Sequence, residues 1–302
     1  MHEIETFNDL EFCFEQSSCL SLAKPGFKWI KPGEPLIMGI PLDLSSTFRP
    51  GTRFAPGAIR NASVNLEPRS MRLNTSIEGS VFSDIGDLLI NSINLDLELE
   101  KIASIARVVN EDGFFPVYLG GEHSITPVVL PEIQDLGVLV LDGHFDLRDS
   151  YQEHRRSHAT ACRRIYEQVG SENLFIIGAR GQCNEEKEFI EKHGVKHVLA
   201  KDILREHRAD QYKIVKEFIL SHDKVYLSID MDVFDPGYAP AVGCPEPEGL
   251  SPTIMLDIIS LIQGAQLAGC DLVELCPGHD NGQTAMLAAR LVFEILNLKV
   301  GK

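Results

Sequence analysis

The chain has 302 residues, 44% hydrophobic and 24% charged, an ordinary globular composition with ample length to bury a core. Its net charge of −16 and pI near 5.0 make nucleic acid and anionic membrane surfaces poor partners and are compatible with a small cationic substrate. The 7 cysteines are odd in number and lack C-x-x-C spacing, so neither a disulfide framework nor a zinc ribbon is expected and a cytoplasmic setting is.

The acidic N-terminus lacks the basic start and apolar core of a signal peptide, and no apolar run approaches the ~18 residues that cross a bilayer. Residues 1–33 show no clean period and read as an N-terminal extension packed on the body or on a neighbouring subunit; residues 34–302 read as one catalytic domain. Pro35–Ile40 is the first buried strand. It opens into PLDLSSTFRPGTRFAPGAIRNAS, a long loop that ends in a short helix begun at Pro56–Gly57. A strand is expected within 80–91. Leu97, Ile102, Ile105, Val108 and Val109 define an amphipathic helix over Asn94–Asp112, stopped by Gly113. Phe114–Leu119 is a strand, Pro127–Gln134 a short helix and Val138–Leu141 a strand. Beyond these, helices are expected over His158–Gln168, Glu185–Lys192, Gln211–Leu220, Ser251–Gln263 and Gln283–Lys299. Strands are expected over Leu174–Gly178, Val195–Leu199, Val225–Ile229 and Asp271–Cys276. Ser251 is a good N-cap and Pro252 a good first helical residue. Strands alternating with helices predict a single-domain α/β three-layer sandwich, with a mostly parallel sheet and helices on both faces.

The polar residues that carry chemistry share one address. His123 follows the strand ending at Leu119. Asp142, His144 and Asp146 follow Val138–Leu141, where alternate residues of an extended chain would share a face about 6.5–7 Å apart. Asp230 and Asp232 follow Val225–Ile229. Glu274 is expected within the last strand. In an open parallel sheet, ligands bind at the carboxyl ends of strands. Four carboxylates and two imidazoles are too many for one structural zinc, but suit two divalent ions. Oxygen-rich ligation with one imidazole per ion suits Mn²⁺ better than Zn²⁺, and Mg²⁺ is an alternative. Paired metals acidify a bridging water to hydroxide near neutral pH, which points to hydrolysis.

GGEHS, DGHFD and SIDMDVFDP, in that order, closely resemble the ureohydrolases, the arginases and agmatinases with a dinuclear manganese centre. The resemblance runs from about Pro35 to the C-terminus and implies an arginase-like fold. It implies that Asp142 and Asp230 bridge two Mn²⁺, that His123 and Asp146 complete one shell, and that His144 and Asp232 complete the other. Asp146 would also orient the bridging hydroxide and take its proton. Glu274 matches the glutamate that pairs with the substrate guanidinium, and His158 the histidine that shuttles protons to the leaving amine. A homotrimer or hexamer is implied as well.

Three stretches look like agmatinase: IPLDLSSTFRPGTRFAPGAIR, DLRDSYQEHRRSHATACRR and DPGYAPAVGCPEPEGLS. Arg148 stands where arginases usually carry an asparagine that grips the amino-acid carboxylate. The expected reaction is agmatine to putrescine and urea. Guanidinobutyrase, guanidinopropionase, arginase and formiminoglutamase are the alternatives. Gly143 replaces the usual alanine, and Cys244 replaces a threonine near the expected guanidinium pocket. A one-zinc deacetylase of related architecture would not need His123, Asp146 and Asp232. A catalytically silent polyamine-binding protein is expected to have lost ligands, and none is missing.

Overall fold

Eight strands form one parallel sheet in the computed structural model, which describes residues 4, 6–16, 18–205 and 208–301. Residues 1–3, 5 and 17 of the expected extension, and residues 206, 207 and 302, lie outside the described residues. The strands are β1 (Pro35–Ile40), β2 (Ser83–Leu88), β3 (Phe115–Gly120), β4 (Gly137–Leu141), β5 (Leu174–Ile177), β6 (Lys196–Val198), β7 (Lys224–Asp230) and β8 (Gln266–Val273). Their spatial order is β2-β1-β3-β8-β7-β4-β5-β6, all neighbours parallel. From the N-terminal segment, Phe14–Glu15 pairs antiparallel with β2 and Lys24–Pro25 parallel with it, and Leu10 and Leu20 are buried.

Successive side chains of a strand point to opposite faces. Val138 and Val140 accordingly pack in one core with Met38 and Tyr118, and Leu139 and Leu141 in the other with Ile37 and Val117. Both faces are covered, which is why these strands carry unbroken apolar runs. Helices α2 (Leu95–Glu111), α3 (Thr126–Val129), α4 (Ala161–Val169) and α5 (Asn184–His193) cover the first core through Ile102, Val129, Ile165 and Ile190. Helices α1 (Ala55–Ser63), α6 (Ala200–Leu204), α7 (Arg208–Leu220), α8 (Pro252–Leu261) and α9 (Gln283–Val300) cover the second through Ile59, Ile203, Ile219, Ile258 and Val292. The expected three-layer α/β architecture is the one observed. The Ser251 hydroxyl caps α8 by accepting from the Ile254 N–H.

Three local expectations need correction. The helix expected over Pro127–Gln134 is only α3, because Leu130 turns extended (ψ 134°) ahead of Pro131. The last strand starts at Gln266, paired along β7, and ends at Val273. Glu274 therefore lies just beyond the strand, not within it, and its φ of 63° breaks the ladder. Helix α6 had no clear pattern of its own in the sequence.

Candidate metal centre

Parallel pairing sends the carboxyl ends of β3, β8, β7 and β4, four adjacent strands, to one rim. His123 opens a 3₁₀ turn just past β3. Asp142 follows β4 directly, Asp230 ends β7, and Asp232 lies in the 3₁₀ turn Met231–Val233. His123 Nδ1 lies 3.0 Å from Asp142 Oδ2, 3.2 Å from Asp146 Oδ2 and 3.3 Å from Asp230 Oδ2. His144 Nδ1 lies 2.9 Å from Asp232 Oδ2 and 3.7 Å from Asp142 Oδ1. Two ligand sets result, His123/Asp142/Asp230 and Asp142/His144/Asp232, with ligand atoms mutually within 4.8 Å. Asp142 belongs to both sets. Asp146 belongs to neither, although it faces His123.

Asp142, His144 and Asp146 are not brought together by strand alternation. The chain bends at Gly143–His144, and Asp146 has φ 49°. A non-glycine residue in that region costs roughly 1–3 kcal/mol and persists where its surroundings fix it.

Burial, then the neighbouring Asp142, pushes the Asp146 carboxyl up to about 7. Burial, then Asp232, raises Asp142, and burial with Asp232 and Asp142 raises Asp230 well above the carboxylate range. Burial opposes protonation of His123, yet the close approach of the Asp142, Asp146 and Asp230 carboxylates carries its pKa far up. Asp232 chiefly raises His144 to about 12. Burial would raise Asp232, but His144, the Gly143 amide and Arg180 bring it down to about 2. His123 Nδ1 and Asp142 Oδ2 are buried without a hydrogen-bond partner of proper geometry. Buried polar atoms left unpaired are costly, and a cation accepts the lone pairs of both. The donor set of carboxylates with one imidazole per set fits paired divalent ions.

The surrounding residues hold these candidate ligands. Ser228 Oγ donates to Asp271 Oδ1 at 2.6 Å and lies 3.3 Å from His123 Nε2, so His123 Nε2–H is the donor of that contact. Tyr226 OH donates to Asp271 Oδ2 at 2.9 Å. Arg180 donates to the carbonyls of Asp232, Phe234 and Glu246 at 2.6, 3.2 and 2.8 Å, tying the turn after β7 to the loop that carries Cys244. Glu122 is fully buried beside His123. Sequence reasoning missed Arg180, Asp271 and Glu122. Only Glu122 carried a signal, as the carboxylate inside GGEHS.

A cavity of about 330 Å³ opens over the ligands, with Glu274, His158, Arg148, Tyr151, Cys244 and Glu246 in its wall. Glu274 is 8% exposed. Burial, opposed by the His123 amide and reinforced by Glu122, holds its carboxyl well above the usual range. A side chain at Gly243 would approach Glu274 Oε2 to 3.2 Å, so the glycine leaves room beside that carboxylate. Burial lowers the His158 imidazole, with Glu122 pulling the other way. The cavity thus joins His144, Asp146, His158, Asp230, Asp232, Cys244 and Glu274, while His123 and Asp142 are buried behind its wall. A larger cleft, of about 1050 Å³, lies among Arg107, Lys224 and Lys299 and includes none of them.

Known proteins match this chain in sequence and fold. The model of the "Arginase family" matches residues 34–297. An agmatinase of Bacillus anthracis is 33% identical over 272 residues, 87% of this chain and 91% of that protein. A guanidinobutyrase of Pseudomonas aeruginosa is 35% identical over 272 residues, 86% and 84% of the two chains. The crystal structure of an agmatine ureohydrolase of Thermoplasma volcanium superposes with a TM-score of 0.84 at 33% identity, covering 97% of each chain. With the rim of carboxylates and histidines and this match along nearly its whole length, the chain belongs to the arginase family and is a ureohydrolase acting on guanidino C–N bonds.

Proposed function

We propose that the protein hydrolyses agmatine to putrescine and urea, with two Mn²⁺ held by His123, Asp142, His144, Asp146, Asp230 and Asp232. The observation that carries this reading is the sharing of Asp142 by two ligand sets beneath the cavity that Glu274 enters. Carboxylate-rich ligation suits Mn²⁺ better than Zn²⁺. When bound, such ions supply Lewis acidity and a water acidified toward neutral pH. Glu274 receives the guanidinium, whose parallel donors match two carboxylate oxygens. Asp146 orients the attacking water and takes its proton. Its raised pKa places it where a general base works. As the C–N bond breaks, its electron pair stays on the leaving nitrogen and His158 protonates it. The acidic chain and Glu246 in the cavity wall suit the second positive charge of agmatine.

A second reading has its own observation. Arg148 is in the cavity wall, stacked 5.3 Å over Tyr151, and makes no ion pair among the described residues. An unpaired guanidinium there suits a carboxylate tail, as in guanidinobutyrate. Exposed Phe12, Leu22 and Trp29 in the N-terminal segment support contact with a second copy of the chain, which light scattering measures. The deciding assay is urea release with Mn²⁺ across agmatine, guanidinobutyrate, guanidinopropionate and arginine. Turnover of agmatine above the others, lost in Asp142→Ala and Asp230→Ala, is expected. Agmatine binding without urea at any Mn²⁺ level would make the protein a binder and end this reading.

A further inference from the structure

His158 is tethered twice to one hydroxyl. Its backbone N–H donates to Ser45 Oγ at 3.0 Å, and its Nδ1 lies 3.2 Å from the same oxygen. Ser45 in turn is held by Glu122. Its N–H donates to Oε2 at 2.6 Å and its hydroxyl to Oε1 at 2.7 Å. Leu44 N–H and the Ser124 hydroxyl donate to the same carboxylate at 2.8 and 2.6 Å. Four donors fill the acceptor capacity of Glu122.

Counting hydrogens settles the tautomer. A serine hydroxyl has one hydrogen and two acceptor positions. The hydrogen of Ser45 goes to Glu122, so toward His158 it only accepts. It accepts from the backbone N–H and from Nδ1–H. Nδ1 must therefore carry a hydrogen in the neutral ring as well as in the imidazolium. Nε2 has no protein partner among the described residues and is the nitrogen left to gain and lose a proton. The Tyr151 ring, edge-on to His158 with centroids 5.6 Å apart, restrains the imidazole further.

We propose that Ser45, oriented by Glu122, is a positioning residue that fixes His158 in its Nδ1–H form and so reserves Nε2 for the proton given to the leaving amine. This rests on the shuttle role of His158 argued above. In the step, the imidazolium releases its Nε2 proton to the leaving nitrogen, which keeps the electron pair of the breaking C–N bond. The ring returns to neutral with Nδ1–H in place, and solvent water reprotonates Nε2.

The test compares the kinetics of Ser45→Ala, Ser45→Thr and His158→Ala in the Mn²⁺-loaded enzyme, and reads the tautomer by ¹⁵N NMR of histidine-labelled protein loaded with diamagnetic Mg²⁺. General acid catalysis contributes about 10²–10⁴, so losing its orientation alone is expected to lower kcat roughly tenfold in Ser45→Ala, with KM held within about twofold. Ser45→Thr keeps the hydroxyl and is expected to restore kcat to within about threefold. The wild-type neutral ring is expected to show an unprotonated Nε2, and Ser45→Ala a tautomer mixture. An undiminished kcat in Ser45→Ala, or an unchanged single tautomer, overturns the proposal while leaving the shuttle intact. Full activity in His158→Ala overturns the shuttle itself. Should Ser45→Ala not fold, Ser45→Cys carries the same comparison, since its thiol is a weak acceptor.

Discussion

Glu274 Oε1 accepts the backbone N–H of His123 at 2.7 Å, joining residues 151 positions apart in the chain. One carboxylate thus fixes the turn that carries a candidate ligand while it faces the cavity. The two tasks separate by substitution. Glu274→Gln keeps an oxygen for the His123 amide but loses the charge for the guanidinium. Removing one partner of a buried charge pair costs about 2–5 kcal/mol, so kcat/KM is expected to fall roughly 30- to 4000-fold with Mn²⁺ affinity within a few-fold. Glu274→Ala also orphans a buried N–H, worth about 1–3 kcal/mol, and is expected to melt lower than Glu274→Gln. Equal melting temperatures would deny the structural half of the argument. Steady-state kinetics and thermal melts give both answers.

The path from His123 Nε2 through Ser228 to Asp271 predicts a metal phenotype without any substrate. Partners of this kind typically change metal affinity 10–100-fold. Asp271→Asn is expected to weaken Mn²⁺ binding within about that range, and Tyr226→Phe less, because it removes one of the donors to Asp271. Titration calorimetry reads this directly. Wild-type affinity in Asp271→Asn would show that Asp271 only fills the core.

Protons and cations compete for the same atoms, which sets a pH dependence. Asp146, raised to about 7 by burial first, and His144, raised to about 12 chiefly by Asp232, hold protons that a cation must displace. Binding therefore releases protons and strengthens as pH rises. Between about pH 6 and 8, the Kd for Mn²⁺ is expected to fall by up to tenfold per unit for each proton displaced. Asp232, already lowered to about 2, is ionised throughout and adds no slope. A Kd independent of pH would contradict the protonated cluster.

Gly143 meets Arg180. A Cβ at Gly143 would lie 2.8 Å from Arg180 Nη1 and 2.9 Å from the Asp232 carbonyl. Gly143→Ala is expected to destabilise by about 1–3 kcal/mol, the usual cost of overpacking. Arg180→Ala removes part of the obstruction, so the double variant is expected to be more stable than the sum of the single losses. Coupling of about 0.5–3 kcal/mol is the range for residues in contact. Simple additivity in denaturant unfolding would show that Arg180 does not fill the space.

Arg148 separates the two substrate readings. Arg148→Ala is expected to lower kcat/KM for guanidinobutyrate at least tenfold and leave agmatine unchanged or improved. Equal losses for both substrates would assign Arg148 to the cavity wall through its stacking on Tyr151.

The architecture was readable because doubly covered strands leave long apolar runs, as in Val138–Leu141, and because Ser251 and Gly113 punctuate helices through local chemistry. The convergence of His123, Asp142 and Asp230 was readable from their shared position after strands. The geometry that completes the site was not. Arg180 acts through backbone carbonyls of segments remote in sequence, and Asp271 looks like any polar residue until β8 is set beside β7. The positive φ of Asp146 and Glu274 has no signature in the sequence either, since neither is a glycine.

Among the described strands the last in chain order, β8, is seated between β3 and β7 in the middle of the sheet. Until residue 273 has left the ribosome, both neighbours expose raw hydrogen-bonding edges, the kind that recruit other chains. A chain cut short before Gln266 is therefore expected to aggregate rather than persist as a smaller enzyme, and closure of the sheet and completion of the rim become a single late event of biosynthesis.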